Sequence, residues 1–374
     1  MIFKEQILEK IIFFRIKNDS NLNLFRYIGG PGIKSDYGNI KKNLKILKLK
    51  IQRKIFYILF LFFFILISRL FLIRENFYSL KIIKPINKID YKNITFAIIR
   101  RKACSTCGLF SDYIVFLGCI NHFIKNGYFP IIDTQSYKNI FNEFNGNKSN
   151  ENPWEFFFYQ LFGQKLDNIK KKAKKIKYFE CKKNFFRPRT SLFFNKILQN
   201  FWHNIAKFYL PIKKEILLEA RIIYRRLFKN SNNILGILIR GTDYIAKKPR
   251  GHAIPPTPSM VIKDIKKINL KNNYDWYFIS TEDDLIRDKF TKEFGFKIKY
   301  FVVKKIKYNY KNKFSLSKNN NVKGLQYSKI YLINMIILSK CIDILSANTS
   351  GSIGVFILTN GFRYSKIYNL GNYK

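Results

Sequence analysis

The sequence predicts an α/β protein of two facing Rossmann-like domains, preceded by an N-terminal hydrophobic helix. Three observations carry that expectation. From Ile94 onward, short apolar runs of strand length alternate with segments of helical apolar spacing. The alternation falls into two series separated by a helix-rich stretch. Finally, 374 residues, 47% of them apolar and 17% aromatic, are enough to bury the cores of two domains.

In order along the chain, residues 1–54 form a basic segment and residues 55–73 (IFYILFLFFFILISRLFLI) an apolar run interrupted by Ser68 and Arg69. That length is close to the roughly 20 residues that cross a bilayer, although the uninterrupted part is short enough for a helix lying on the membrane surface. Residues 41–54 carry seven basic and no acidic side chains, against four basic and one acidic in 74–88, which places the N-terminus in the cytoplasm if the run spans. The run starts too late for a cleavable signal peptide. The sequence leaves open which side of the membrane holds the bulk of the chain. Triplets at Asn93, Asn147 and Asn348 match the N-glycosylation pattern and matter only if that side is extracytoplasmic.

The first α/β series, in a domain spanning 90–212, reads as a strand at 94–99, a helix at 111–126 and a strand at 128–133. Helical segments follow, one opened by Pro153 and Trp154 and another at 191–209; the eight lysines of 170–183 read as the solvated face of a helix. The second domain, 213–374, opens with a long helix at 213–228. It continues with strands at 234–240, 276–280, 297–303, 342–346 and near Ile367, interleaved with helices at 258–270, 283–294, 327–341 and 352–359. Residues 304–323 are basic, Asn-rich and unpatterned, and read as a surface loop or a flap over a cleft.

Lys plus Arg number 69 against 24 for Asp plus Glu, a formal charge of +45, with 38 Phe and 23 Tyr that exclude a disordered basic tail. Such a charge gathers anions of any kind, and it accompanies an excess of Ile, Asn, Phe and Tyr that a coding bias over the whole chain also explains. Zinc fingers, RNP motifs and basic heptads are absent from the sequence, so nucleic acid is not an expected partner. Five cysteines do not make a disulfide scaffold; Cys104 and Cys107 alone are spaced as a pair, without a second pair at zinc-ligand spacing.

Ligands of a doubly wound sheet sit beyond the carboxyl ends of its strands, which singles out four turns. Residues 104–111 (CSTCGLFS), including Gly108, are small enough for backbone N–H groups to approach an anion, or form an ordinary tight turn. In 239–244 (IRGTDY), Arg240 beside Gly241 and Thr242 can fork onto a diphosphate with Asp243 in support; a strand-end salt bridge from Arg240 to Asp243 is the plainer reading. In 280–284 (STEDD), Thr281 is a natural helix cap and the acids suit the helix dipole, with ligand contact an addition. Residues 346–352 (SANTSGS) are rich in hydroxyls and glycine and open an apolar helix, as a phosphate site does. Neither a Walker A sequence nor GxGxxG occurs, which argues against an NTPase or a dehydrogenase.

The order of these motifs, from about Thr95 to Leu370, resembles the fucosyltransferase-like superfamily of GT-B fold, which includes α1,6-fucosyltransferases, Nod-factor fucosyltransferases and protein O-fucosyltransferases. The family's strand followed by His-x-Arg-Arg-Thr/Gly-Asp is similar to Leu238-Ile239-Arg240-Gly241-Thr242-Asp243, and its Ala-Thr-Asp-Asp to Ser280-Thr281-Glu282-Asp283. Its late Leu-Ser-x-x-Asp and Ser-Ser turn resemble Leu338, Ser339, Asp343 and Thr349-Ser350, and its Gly/Cys-rich turn resembles 104–108.

The resemblance implies an inverting, metal-independent glycosyltransferase without a cofactor, which moves a sugar, fucose in the family, from a GDP-linked donor to a glycan or glycoconjugate. Arg240 would hold the donor diphosphate with Asp243 in support; Glu282 and Asp283, with Thr281 beside them, would contact base or ribose; and Thr349, Ser350, Gly351 and Ser352 would bind phosphate. Where one branch has a carboxylate this sequence has Lys248, and His252, in the Pro-rich segment that follows, is the substitute candidate for general base by its pKa, a structural histidine being an equal alternative. Departures at Leu238, Gly241, Asn334 and Lys248 open two other readings. One keeps the fold with another nucleotide-diphosphate sugar in surface polysaccharide synthesis. The other is a degenerate, non-catalytic protein that binds polyanions or membrane.

Overall fold

The computed structural model describes residues 90–102, 107–137, 139–141, 151–181, 185–302 and 324–374. The basic segment 1–54, the apolar run 55–73, Cys104 and the 304–323 loop lie outside the described residues. The chain divides into a unit Met1–Arg74 and a unit Glu75–Lys374, and everything described belongs to the second. Among the described residues no helix is long and apolar enough to cross a membrane.

Two all-parallel sheets organise that unit. The first has the order β2-β1-β3, with β1 (Thr95–Arg100) between β2 (Phe129–Ile132) and β3 (Lys175–Glu180), and Phe96 in register with Phe129 and Ile176. The crossover from β1 to β2 runs through α1 (Leu109–Lys125), as the sequence predicts. One expectation fails here. Residues 170–183 are not the face of one helix, because α2 (Leu166–Lys172) stops at Ala173 and the chain then extends into β3. Pairing of all six β3 residues along β1 outweighs helix formation, and an edge strand tolerates lysine on its open side.

After α3 (Lys196–Tyr209) and α4 (Lys214–Phe228) comes the second sheet, β6-β5-β4-β7-β8. Its strands are β4 (Ile234–Leu238), β5 (Trp276–Ser280), β6 (Ile298–Lys299), β7 (Asp343–Ala347) and β8 (Tyr364–Tyr368). β4 and β7 are buried along their whole length, as strands covered on both faces are, and β4 (ILGIL) carries no polar side chain. The helices between are α5 (Thr242–Lys247), α6 (Pro258–Asn272), α7 (Asp284–Phe294), α8 (Gly324–Leu338) and α9 (Ser350–Leu358). Local chemistry fixes their starts: Thr257 caps α6 ahead of Pro258, and Asn195 caps α3.

The strand expected at 234–240 ends at Leu238, leaving Arg240 free of the ladder, and the strand expected at 297–303 is reduced to Ile298–Lys299. A shared core joins the layers. α9 packs on α1, α3 and α8, with Phe356 4.9 Å from Phe193 and Tyr331 of α8 edge-on to Phe110 of α1 at 5.7 Å. At the amino end of β7, the fully buried Asp343 accepts hydrogen bonds from Tyr274, Arg363 and the Tyr364 backbone. This acid of the late motif therefore braces the sheet at the edge opposite Arg240.

Candidate functional site

All five strands of the second sheet run the same way, so the carboxyl ends of β5, β4 and β7, three neighbours, open on one edge. The chain proceeds from β4 outward to β5 and β6, then returns to place β7 and β8 on the other side of β4. The strand order thus reverses between β4 and β7, the place where doubly wound sheets take their ligands. Arg240 and Gly241 follow β4 there, and Thr349 to Ser352 follow β7.

Arg240 is held on two sides. Its Nε lies 3.5 Å from Oε1 of Glu282, and its guanidinium sits over the Tyr244 ring, 4.9 Å from the centroid. The same Glu282 oxygen accepts a 2.9 Å hydrogen bond from the Gly241 backbone N–H. The Arg240 side chain is 23% exposed and that of Glu282 9%. A glycine is required at 241, because a Cβ would stand 2.5 Å from the Cβ of Asp283. Asp283 is the cap of α7, its Oδ1 accepting from the Leu285 and Ile286 backbone N–H groups. The cap thus lies two residues after the Thr281 expected from sequence; Thr281 Oγ1 instead accepts from the Asp283 backbone N–H at 3.3 Å. A carboxylate caps better here because it reaches two N–H groups and meets the positive end of the helix.

Across the switch point, Thr349 caps α9 by accepting from the Ser352 backbone N–H at 3.3 Å, and the Ser352 hydroxyl donates back to the Ala347 carbonyl. These bonds fold the turn that opens α9 at the sheet edge, and the first backbone N–H groups of a helix are donors of the kind a phosphate can meet. Gly351 allows the close approach of the Tyr331 hydroxyl. Burial pushes the Tyr331 hydroxyl up from its ordinary pKa, and the nearby Arg240 charge opposes that. Tyr331 therefore lies close to the turn that opens α9 and within electrostatic reach of Arg240.

His252 is exposed, with its Nδ1 3.1 Å from the Tyr244 hydroxyl. Its loop is pinned to the end of the chain by Gly251 N–H donating to the Tyr373 carbonyl, Ile254 N–H to Gly371 and Tyr373 N–H to His252. Tyr244 thus touches both Arg240 and His252. The side chains of Thr242 and Asp243 lie outside the described structure. Gly108, at the start of α1, is exposed with open space around it. The sequence reading missed Tyr244 and Tyr331. Tyr244 carries a weak signal, one helical turn beyond Arg240, whereas Tyr331 sits in an apolar helix with none. Beside the β5 turn a cavity of about 500 Å³ is lined by Arg226, Leu227, Asp284, Arg287, Asp288 and Tyr300 to Val302, with Arg287 also donating to the Thr281 carbonyl at 3.2 Å.

On the first sheet, at the start of α1, Asp112 pairs with Arg101 at 2.5 Å while only 2% exposed. Burial pushes its carboxyl up to about 7, against the pull of Arg101. Between an ordinary carboxyl value of 3.8 and that level, the folded chain holds a proton that the unfolded chain has released. This contribution to stability therefore falls as pH rises through the window, and it is smallest above it. Asp112→Asn is expected to remove that slope, so that the stability difference from the unaltered chain changes sign or shrinks between about pH 5 and pH 7.5 by a few kcal/mol. Urea unfolding of both proteins at the two pH values measures it, and parallel pH profiles would refute it.

No protein-family model and no curated protein matches the sequence. Among solved structures, the chain is similar to NodZ α-1,6-fucosyltransferase soaked with GDP-fucose, at 14% identity and TM-score 0.42, over 71% of this chain and 93% of that one. It is similar to the fucosyltransferase NodZ from Bradyrhizobium at 13% identity and TM-score 0.45, over 71% and 94%. POFUT1 in complex with GDP-fucose aligns at 11% identity and TM-score 0.46, over 75% and 99%.

Proposed function

We propose that this chain is an inverting glycosyltransferase of the fucosyltransferase-like superfamily, with a GT-B arrangement, that transfers a sugar from a GDP-linked donor to a glycan or glycoconjugate. The observation that supports the reading is the convergence at the β4–β7 switch point of a part-exposed arginine and a hydroxyl-lined helix N-terminus. A nucleoside diphosphate laid across that edge would meet the Arg240 guanidinium on one side and the α9 backbone N–H groups on the other. Its charge grows as the glycosidic bond breaks, so donors already aimed at it favour the transition state over the ground state. In this reading no metal or cofactor takes part, because the cation and the helix dipole hold the leaving diphosphate.

The acceptor hydroxyl has to lose a proton as it attacks from the opposite face of the sugar. His252 is the proposed base, positioned by Tyr244 and by the clamp to the C-terminal residues. Glu282 acts in this scheme mainly on Arg240, keeping its planar fork in one orientation. Fucose is the sugar that the sequence resemblance favours. Association with a membrane through residues 55–73, spanning or peripheral, belongs to the proposal and rests on the sequence alone.

Titration of the full chain with GDP, UDP and CMP tests the donor class. Saturable, selective GDP binding is the expected result. Selective UDP or CMP binding would retain the enzyme and change the donor, as the departures at Leu238 and Asn334 allow. Absence of nucleotide binding by a folded chain, with salt-sensitive binding of polyanions, would favour the degenerate reading instead.

A further inference from the structure

Two buried sulfurs play no part in the site just described. Cys119 lies midway along α1, fully buried, and Cys181 follows β3, partly buried. Their Sγ atoms stand 2.7 Å apart. Unbonded carbon atoms rest roughly 3.5–4.0 Å apart and sulfur is larger, whereas a disulfide measures about 2.05 Å. Neither residue hangs on a loose segment. α1 is packed in the core along its length, and the Cys181 backbone N–H continues the sheet by donating to the Arg100 carbonyl at 2.7 Å. The fold itself therefore presses the two side chains together, across 62 positions of sequence.

We propose that Cys119 and Cys181 are joined by a disulfide that fastens the exposed edge strand β3 to helix α1. Thiol–disulfide exchange makes the bond with balanced chemistry. Cys181, the more accessible of the two, loses its proton, against the burial and the neighbouring Cys119 that hold its thiol well above its ordinary pKa, and attacks one sulfur of an external disulfide, such as oxidised glutathione or an oxidoreductase. A mixed disulfide forms and one thiol leaves with a proton. Cys119 then gives up its proton and attacks the Cys181 sulfur, expelling the second thiol. Two protein thiols are oxidised as one external disulfide is reduced to two thiols.

The bond has a mechanical use in this position. β3 pairs with β1 on one side only and is exposed at four of its six residues, so its outer end is prone to peel from the sheet. A link from the residue after β3 to the middle of α1 holds that end, and the closed loop restricts the unfolded chain.

The test is a peptide map of the unaltered full chain after equilibration in glutathione buffers of increasing oxidised fraction, with alkylation in denaturant. The expected result under oxidising buffer is one cross-linked species containing the Cys119 and Cys181 peptides, with a melting temperature roughly 5–10 °C above that of the reduced protein. In Cys119→Ser the reaction is expected to stop at a glutathione adduct on Cys181. The proposal is overturned if both thiols are alkylated at every ratio, if the unaltered chain stops at a glutathione adduct, or if either cysteine links elsewhere. Because the map uses the unaltered chain, a poorly folding variant does not blunt the result.

Discussion

Arg240→Ala is expected to lower kcat by about 10²–10³-fold or more, the scale on which removing a preorganised donor to developing charge acts. The argument is electrostatic and local. The guanidinium is held over Tyr244 and beside Glu282, so in the proposed reading it would meet a leaving diphosphate without first reorganising. Its removal leaves Glu282 with the Gly241 backbone N–H, which keeps that carboxylate partly satisfied and limits the effect on folding to about 1 kcal/mol. Arg240→Lys should fall between the two, since an ammonium restores charge but not the fork. Separate measurement of kcat, GDP affinity and melting temperature checks this. Unchanged transfer in the folded Ala variant would refute the assigned role, whatever nucleotide the chain binds.

The second large effect is on packing. Gly354 lies in α9 against Phe110 of α1, and an added Cβ would stand 1.9 Å from Phe110 Cδ1 and 2.3 Å from its Cε1. That ring cannot simply swing aside, being 2% exposed and wedged between Tyr113 at 5.5 Å and Tyr331 at 5.7 Å. Gly354→Ala is therefore expected to destabilise the fold by about 1–3 kcal/mol, and Gly354→Val by more. A shift of α9 would also carry Ser350 to Ser352, so nucleotide affinity should fall with stability. A double-mutant cycle isolates the contact: in the Gly354→Ala background, Phe110→Leu should cost less than it does alone, or restore stability. Additive losses would show that the strain lies elsewhere.

Much of the second sheet was legible in the sequence because strands buried on both faces are rich in apolar residues. Runs such as ILGIL and WYFIS bounded by polar turns leave few alternatives. The first sheet was harder. β3 is lysine-rich and half open to solvent, so its membership depends on backbone pairing with β1, which composition does not report. The positions of the turns after β4, β5 and β7 were readable, since the apolar strand runs end there in glycine, hydroxyl or acidic residues. The partition of labour within them was not. Asp283 rather than Thr281 caps the helix, and Tyr244 and Tyr331 reach Arg240 from helices whose approach only the tertiary fold determines.

The position of β4 also bears on how the chain matures. Its neighbours in the second sheet are β5, which follows it closely, and β7, which pairs through Leu235 with Asp343 and Leu238 with Ser346. During synthesis the most apolar strand of that sheet therefore keeps one flank unpaired until the ribosome has passed Ala347. Contacts so distant in sequence make folding slow, and the waiting edge is a template for association between nascent chains. A chain stalled before β7 would be a substrate for chaperones, and chain termination there would yield aggregates in place of a smaller active protein.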